Sequence, residues 1–219
     1  MKRKVLLSMI LAILFMFTSI MAINASEISE KFDGELMATR LLPAPTTTHV
    51  ETPTISYTLF NGTFIVGQDI PAGRYVITSE NGDSGNFVIY NTDGRSVINE
   101  ILHDPTGSRT NGVPSITVDI YDGYEIKISG INNVTFTPAI DYFSNILTTG
   151  YWVVGVHISA GQYNARPTNI GDSGNFSIRN ANGRLAVSEV LRDNMVRVSL
   201  QNGQIIKISS LISVTFEGI

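Results

Sequence analysis

An internal repeat limits what this chain can fold into more than any other feature of its sequence. Five short stretches of residues 62–136 recur later in the chain at offsets of 88, 89 or 80 residues: GTFIVG at 62–67 as GYWVVG, IPAGRY at 70–75 as ISAGQY, DSGNF at 83–87, IKIS at 126–129 and VTF at 134–136. Self-similarity at a fixed spacing indicates copies of one structural unit. We therefore predict two tandem modules, residues 58–138 and 146–219, the second lacking nine residues near position 110.

The differences between the two copies indicate strands. Phe87 and Ile89 stay apolar in the second copy, whereas Val88 and Tyr90 are replaced by Ser and Arg. Alternation with a period of two is typical of a strand with one face on a core and one face in water. Residues 116–120 follow the same pattern, which predicts that the variable Thr117 between them faces water.

Turn residues separate these strands and set the fold class. The pairs Asp-Gly at 122–123 and Asn-Gly at 202–203 are typical of two-residue hairpins. Residues 96–102 carry apolar residues at a helical spacing, but their β-branched content favours a bulged or doubly buried strand. We predict an all-β protein: two tandem small antiparallel β-sandwich or partly open barrel modules that follow a signal peptide and a linker. The short join 139–145 predicts that the modules dock.

The start of the chain has the pattern of an export signal. Lys2, Arg3 and Lys4 precede an apolar run, 5–22, that ends in small residues. This order is typical of a secretory signal peptide, which we assign to residues 1–25. The apolar run is nearly long enough to span a bilayer, so an uncleaved membrane anchor is the alternative. Membrane contact is expected only through this segment.

Residues 26–57 are predicted to be an extended linker, because they contain Pro43, Pro45 and Pro53. A short helix at 30–42 is the one regular element that we consider there. Removal of residues 1–25 takes away three cations and no acid, so the net charge falls from −4 to −7. We expect a secreted, acidic protein that is released or is held at the cell surface by non-covalent contacts.

The composition excludes several functional classes. The chain has no Cys, which rules out disulfides, thiolate metal sites and cysteine nucleophiles. An exported protein without Cys fits a Gram-positive bacterium. The acidic balance argues against nucleic acid as a partner, since that binding requires clustered Lys and Arg.

A repeated motif resembles a known kind of module. Residues 66–75 contain the pattern Val-Gly-x-Asp-Ile-Pro-Ala-Gly-x-Tyr, and residues 154–163 carry it with His157 and Ser159 as departures. With Ser-Gly-Asn-Phe, Asn-Glu-Ile-Leu and Val-Thr-Phe-Thr-Pro further on, the pattern resembles a repeated module of exported Gram-positive bacterial proteins. The resemblance implies export and a β-module, and it carries over no catalytic residue.

Charged residues offer little chemistry. Glu100 and Lys127 recur in the second copy as Glu189 and Lys207, and we expect them to be ordinary ion pairs or solvated ends. No nucleophile, phosphate-loop or metalloprotease motif occurs, so we predict no catalytic residue, no metal and no cofactor. A calcium ion at the two Asp-Ser-Gly-Asn turns is the alternative, although these residue types also stabilise turns by themselves.

The candidate binding residues are aromatic side chains found in one copy only: Tyr90, Tyr121 and Tyr124. Exposed rings can stack on sugars or anchor protein partners. The alternative for the last two is a cross-strand pair that stabilises the hairpin, and Trp152 is expected in the core. We therefore predict a secreted non-enzymatic surface protein that binds cell-wall glycan or an extracellular protein. The alternative function is a structural matrix or fibre subunit that self-associates by strand-edge pairing.

Overall fold

A computed structural model describes residues 53–108 and 111–219, and the regular elements of these residues are all strands. The all-β prediction is therefore confirmed. In this part of the chain no helix is long and apolar enough to cross a bilayer. The predicted signal peptide 1–25, the helix considered at 30–42 and all but the end of the linker lie outside the described residues.

Fourteen strands follow one another along the described chain. Eight precede residue 139: β1 (Tyr57–Leu59), β2 (Gly62–Ile65), β3 (Gly73–Ser79), β4 (Ser84–Tyr90), β5 (Ser96–His103), β6 (Ser115–Ile120), β7 (Glu125–Ser129) and β8 (Val134–Pro138). Six follow residue 145: β9 (Ile146–Val153), β10 (Gly161–Pro167), β11 (Gly174–Arg179), β12 (Leu185–Leu191), β13 (Val196–Leu200) and β14 (Ile205–Gly218). We call residues 53–138 the first half and residues 146–219 the second half.

The strands form two sheets, neither of which closes into a barrel. The larger sheet has ten strands, in the order β1-β8-β3-β6-β9-β14-β10-β13, with β11 attached to β14 and β12 to β11. The smaller sheet has the order β2-β7-β4-β5. Nearly all pairs are antiparallel, and the pair β6–β9 is parallel. The arrangement is consistent with a β-sandwich.

Two clusters of buried side chains lie within one compact unit of the chain. Phe87, Phe136 and Ile77 belong to the cluster of the first half, and Phe176 and Phe216 to that of the second. Because the smaller sheet supplies Phe87 and the larger sheet supplies Phe136, the first cluster fills the space between the two sheets. Both phenylalanines predicted to face inward, Phe87 and Phe176, are buried.

Strand pairing in the second half follows that of the first half position by position. Gly62 of β2 pairs with Ile128 of β7, and Gly150 of β9 pairs with Ile208 of β14. Strand β9 thus takes the place of β1 and β2 together, and β14 takes the place of β7 and β8. The pairings β4–β5 and β4–β7 likewise match β11–β12 and β11–β14.

Two details of the sequence analysis are resolved here. Residues 96–102 belong to the edge strand β5 and not to a helix. Residues 98–102 all pair with β4, and Ile98 and Leu102 pack into the core while Ile101 between them is exposed. The prediction that Thr117 faces water is wrong. Thr117 is buried because β6 pairs with β9 of the second half at the bridge between Thr117 and Gly150.

Candidate binding surface

Tyr90 lies at the end of β4 beside a groove of about 460 Å³. The opposite residue on β7 is Glu125, and Lys127 holds its Nζ atom 5.0 Å from the centre of the Tyr90 ring. Lys127 Nζ also lies 2.8 Å from a carboxylate oxygen of Glu125. The rest of the lining comes from Ile65, Asn91, Thr92, Gly94 and Gly123. The groove therefore combines one aromatic ring with a cation, an anion and backbone groups.

The charged groups of this groove remain partly accessible to solvent. The side chain of Lys127 is 50% exposed and that of Glu125 is 36% exposed. The ion pair with Glu125 raises the pKa of the Lys127 amine, so the amine is charged at neutral pH. An ion pair at this degree of exposure contributes little to stability, and both groups can form new hydrogen bonds with a ligand at small cost.

Tyr121 and Tyr124 flank the β6–β7 hairpin, and their rings pack edge to face with centroids 5.4 Å apart. Tyr121 is 40% exposed, whereas Tyr124 packs against the core of the first half. Burial raises the pKa of both phenols, followed by the charge of Asp119 for Tyr121 and by Tyr151 for Tyr124. Both hydroxyls therefore stay neutral at ordinary pH. The pair has the geometry of a hairpin-stabilising contact.

The three predicted binding residues therefore do not converge on one site. Tyr90 borders the groove, but neither Tyr121 nor Tyr124 is among the residues that line it. Tyr90 lies opposite Glu125, so both side chains face the same side of the smaller sheet. Successive residues of a strand alternate between the two sides, so Tyr124, which precedes Glu125, faces the opposite side. Of the three, Tyr90 is the ring that lies beside solvent-accessible charged groups.

Other exposed aromatic rings escaped the sequence analysis: Phe60 is 58%, Tyr142 61% and Phe143 62% exposed. Tyr142 lines a second groove of about 460 Å³, between the halves, together with Arg74 and Trp152. Trp152 is buried there, as predicted. No periodic pattern surrounds these rings, so the sequence gives no signal for them.

Arg74 holds the two halves together at this second groove. Its side chain is only 9% exposed and lies 2.7 Å from an Asp119 carboxylate oxygen. The same guanidinium donates to the backbone carbonyl of Tyr151, 2.9 Å away, and stacks over Trp152 at 5.1 Å from the ring centre. Its donors are therefore occupied by the protein itself, and the guanidinium is not free for a ligand.

Glu100 is the most unexpected charged residue, because it is buried and only 6% exposed. Its carboxylate accepts hydrogen bonds from the Ser209 hydroxyl at 2.6 Å, from the Ser210 backbone N–H at 3.1 Å and from the Ser210 hydroxyl at 3.2 Å. Burial raises the pKa of Glu100, and these hydrogen bonds oppose the rise. The expectation of an ordinary ion pair or a solvated end is therefore wrong for Glu100, since the second half covers this edge of the first.

Two residues at this contact are shared by both copies of the repeat. Glu100 and Glu189 are identical in the two copies, and so are Gly62 and Gly150. A Cβ atom at Gly150 would collide with the backbone carbonyl of Thr117, so this glycine permits the close approach of β9 to β6. Repetition alone accounts for both identities, so the sequence does not distinguish the buried Glu100 from the exposed Glu189.

The Asp-Ser-Gly-Asn turns use their carboxylates for internal hydrogen bonds. Asp83 accepts the backbone N–H of Asn132 at 2.8 Å and its side-chain amide at 3.3 Å. Asp172 accepts from the side-chain amide of Asn169 at 3.2 Å. Within residues 53–108 and 111–219 no group of three His, Cys, Asp or Glu residues is arranged to hold a metal ion. These turns are therefore held by their own polar groups.

Comparisons with protein-family models, with curated proteins and with solved structures find no match for this chain. The geometry of the described residues is thus the basis for the proposals that follow.

Proposed function

We propose that this is a secreted, non-enzymatic surface protein that binds cell-wall glycan at the groove beside Tyr90. The observation that carries the proposal is the combination of one aromatic ring with Glu125 and Lys127 in a groove open to solvent. A sugar ring presents an apolar face for stacking and hydroxyls around its rim. The Tyr90 ring can stack on the apolar face, while the Glu125 carboxylate and the Lys127 ammonium group can form hydrogen bonds with the hydroxyls.

The other exposed rings fit a sugar less well. Beside Tyr142 the guanidinium of Arg74 is already bonded to Asp119 and to a backbone carbonyl. Tyr121 packs its ring on Tyr124. An extracellular protein is the alternative ligand, and it would bind the same residues of the Tyr90 groove.

Retention on purified cell wall tests this proposal. We expect Tyr90→Ala to weaken binding of the predicted mature chain, residues 26–219, by about ten-fold, because loss of ring contact costs on the order of 1 kcal/mol or more. The matched control is Tyr142→Ala, which removes an exposed tyrosine from a different groove and should bind as wild type does. Arg179→Ala, at the matching position of the second half, should also be neutral.

Two outcomes would contradict the assignment. If Tyr90→Ala bound as well as wild type while Tyr121→Ala did not, the site would lie at the hairpin. If no variant changed retention, the groove would not be the binding site.

A second function, a structural subunit of a matrix or fibre, is supported by a separate observation. Strands β12 and β13 of the second half leave an edge uncovered, whereas the matching strands β5 and β6 of the first half are covered. Open strand edges pair with other chains. Concentration-dependent assembly of the mature chain, measured by light scattering, tests this function.

A further inference from the structure

The contact between the two halves has a defined chemistry. Strand β9 pairs with β6 at Thr117 and Gly150, and β14 offers Ser209 and Ser210 to the Glu100 carboxylate. On the same side, the backbone carbonyl of Val97 accepts from Lys207 Nζ at 2.9 Å and from the Tyr151 hydroxyl at 3.1 Å. Strands β5 and β6 thus form the covered edge, and β9 with β14 forms the covering face.

The matching edge of the second half carries the same glutamate, but no strand among residues 53–108 and 111–219 covers it. Glu189 occupies on β12 the place of Glu100 on β5, since each lies opposite a core phenylalanine. Glu189 is exposed, and Leu185, Val190 and Met195 beside it are 46%, 54% and 56% exposed. This edge, β12 with β13, is an unfilled copy of the covered edge.

The matching covering face is also present and free, on strands β2 and β7 of the first half. Ser129 and Gly130 hold the places of Ser209 and Ser210, and both are exposed. Gly130 has a φ of 79° and Ser210 a φ of 59°, so the backbone turns in the same left-handed way at both positions. Lys127 holds the place of Lys207, with half of its side chain exposed. One molecule therefore carries both an open edge and the face that fits it.

We propose that the β12–β13 edge of one molecule docks on the β2–β7 face of a second copy, as β5–β6 docks on β9–β14 within the molecule. This inference rests on the second proposed function, because it names the surfaces and the partner of a structural subunit. The Glu189 carboxylate accepts from the Ser129 hydroxyl and from the backbone N–H of Gly130. Lys127 donates to the backbone carbonyl of Ala186, which stands where Val97 stands in the first half.

Association between molecules is weaker than the contact within one molecule. The internal contact contains the Arg74–Asp119 ion pair, and the matching residues of the second half are Gln162 and Ser199, which form a neutral hydrogen bond at 2.9 Å. The internal contact is also helped by the short join at 139–145, which raises the effective concentration of the two surfaces. Assembly between copies is therefore reversible and depends on concentration.

The two docking surfaces differ from each other, so their contact is heterologous. Such contacts extend into open chains of molecules when the rotation between copies does not close a ring. Each added copy presents a new free edge. The Tyr90 position stays exposed in this arrangement, since Arg179, which holds the matching place in the second half, remains exposed beside the internal contact. Lys127, by contrast, leaves the groove for the interface, so assembly and glycan binding compete for this residue.

Two single variants of the mature chain and their mixture test the interface. Glu189→Ala removes the acceptor from the edge, and Ser129→Glu sets a negative charge against Glu189 on the face. Analytical ultracentrifugation over a concentration series should show wild type growing beyond a dimer. Each variant alone should need a concentration roughly ten-fold higher or more for the same association, because hydrogen bonds to a charged group are lost. Glu217→Ala, which removes an exposed carboxylate near the end of β14, opposite β10, should assemble as wild type does.

The mixture is the decisive measurement. Each variant keeps one intact surface, so equal amounts of the two should form one-to-one dimers that grow no further. Both residues are exposed, and unchanged thermal unfolding will show that the variants fold. A wild type that assembles while both variants assemble equally well would overturn this interface and leave the structural function standing. A wild type that stops at a closed dimer would overturn the heterologous arrangement. A wild type that stays monomeric would overturn both.

Discussion

The two halves place the same glutamate in two different environments. Glu100 is buried and held by Ser209 and Ser210, while Glu189, opposite the equivalent phenylalanine, is exposed on an open edge. The surrounding apolar residues follow the same trend, since Ile98 is 1% exposed and its counterpart Val187 only half-buried. The local sequence does not decide the burial of an edge strand here. Burial is decided by whether other strands pack against that edge, as β9 and β14 do at Glu100.

A second contrast concerns the junction itself. Strand β9 reaches β6 through Gly150, whereas at Gly62, the matching place, the nearest atom to the Cβ position belongs to the Phe64 ring, at 3.4 Å. The first half therefore contains two surfaces, one used inside the molecule and one left unused. The same substitution made at matching positions of the two halves separates the contribution of the contact between the halves from that of the residue type.

The largest effect is expected at Gly150. A Cβ atom there would strike the Thr117 carbonyl, and the φ of 138° disfavours other residues. We expect Gly150→Ala to lower the free energy of unfolding by about 3 kcal/mol, and Gly62→Ala by clearly less. Denaturant titration of both variants measures the difference. Equal losses would show that the close approach of β9 to β6 contributes nothing.

The second pair compares the two glutamates. Glu100→Ala leaves the Ser209 and Ser210 donors without their acceptor, so we expect a loss of about 1–3 kcal/mol. Glu189→Ala should change the free energy of unfolding by less than about 0.5 kcal/mol, as is usual for an exposed residue. Glu100→Gln keeps an acceptor and removes a buried charge, so it should recover most of the loss. A Glu189→Ala variant as unstable as Glu100→Ala would remove the distinction between covered and open edges.

The smallest effect is expected at His157 of the second half. The Val153 backbone N–H donates to His157 Nδ1 at 2.8 Å, just as the Ile65 N–H donates to Asp69 at 2.7 Å in the first half. Burial, and then the charge of Arg74, lower the pKa of His157 below 6.5, while Asp141 opposes the shift.

The sign of the pH dependence follows from this lowered pKa. The unfolded chain takes up a proton near pH 6.5 and the folded chain only at lower pH, so the contribution of His157 is complete above 6.5. It declines as the pH falls through the pKa of the folded state. His157→Asn supplies an acceptor that does not titrate, and its stability should fall less between pH 7 and pH 5. Parallel curves of stability against pH for wild type and variant would contradict this prediction.

Much of the fold was predictable because it depends on local pattern. The inward positions Phe87 and Ile89 were identified by alternation, and the hairpin turns at 122–123 and 202–203 by their Asn or Asp followed by Gly. The prediction of a strand at 96–102 was also correct, and it rested on the β-branched content of the segment. These features arise within a few residues of the chain, so the sequence contains all that determines them.

The errors concern positions that depend on distant residues. Thr117 varies between the copies and was assigned to water, yet β9 covers it. Glu100 is held by Ser209 and Ser210, which lie more than 100 positions further along the chain. Among the candidate binding residues, the edge-to-face packing of Tyr121 on Tyr124 followed from their places in the hairpin. The position of Lys127 over the Tyr90 ring did not, because it depends on how β4 and β7 pair.

The last strand has a consequence for how the chain is made. Strand β14 pairs with β9, β10 and β11, and it also supplies the groups that hold Glu100. A growing polypeptide therefore lacks the central strand of its second half until residues 205–218 have been synthesised. Until then no strand lies between β9 and β10, and the edges that β14 will cover are open to pairing with other chains.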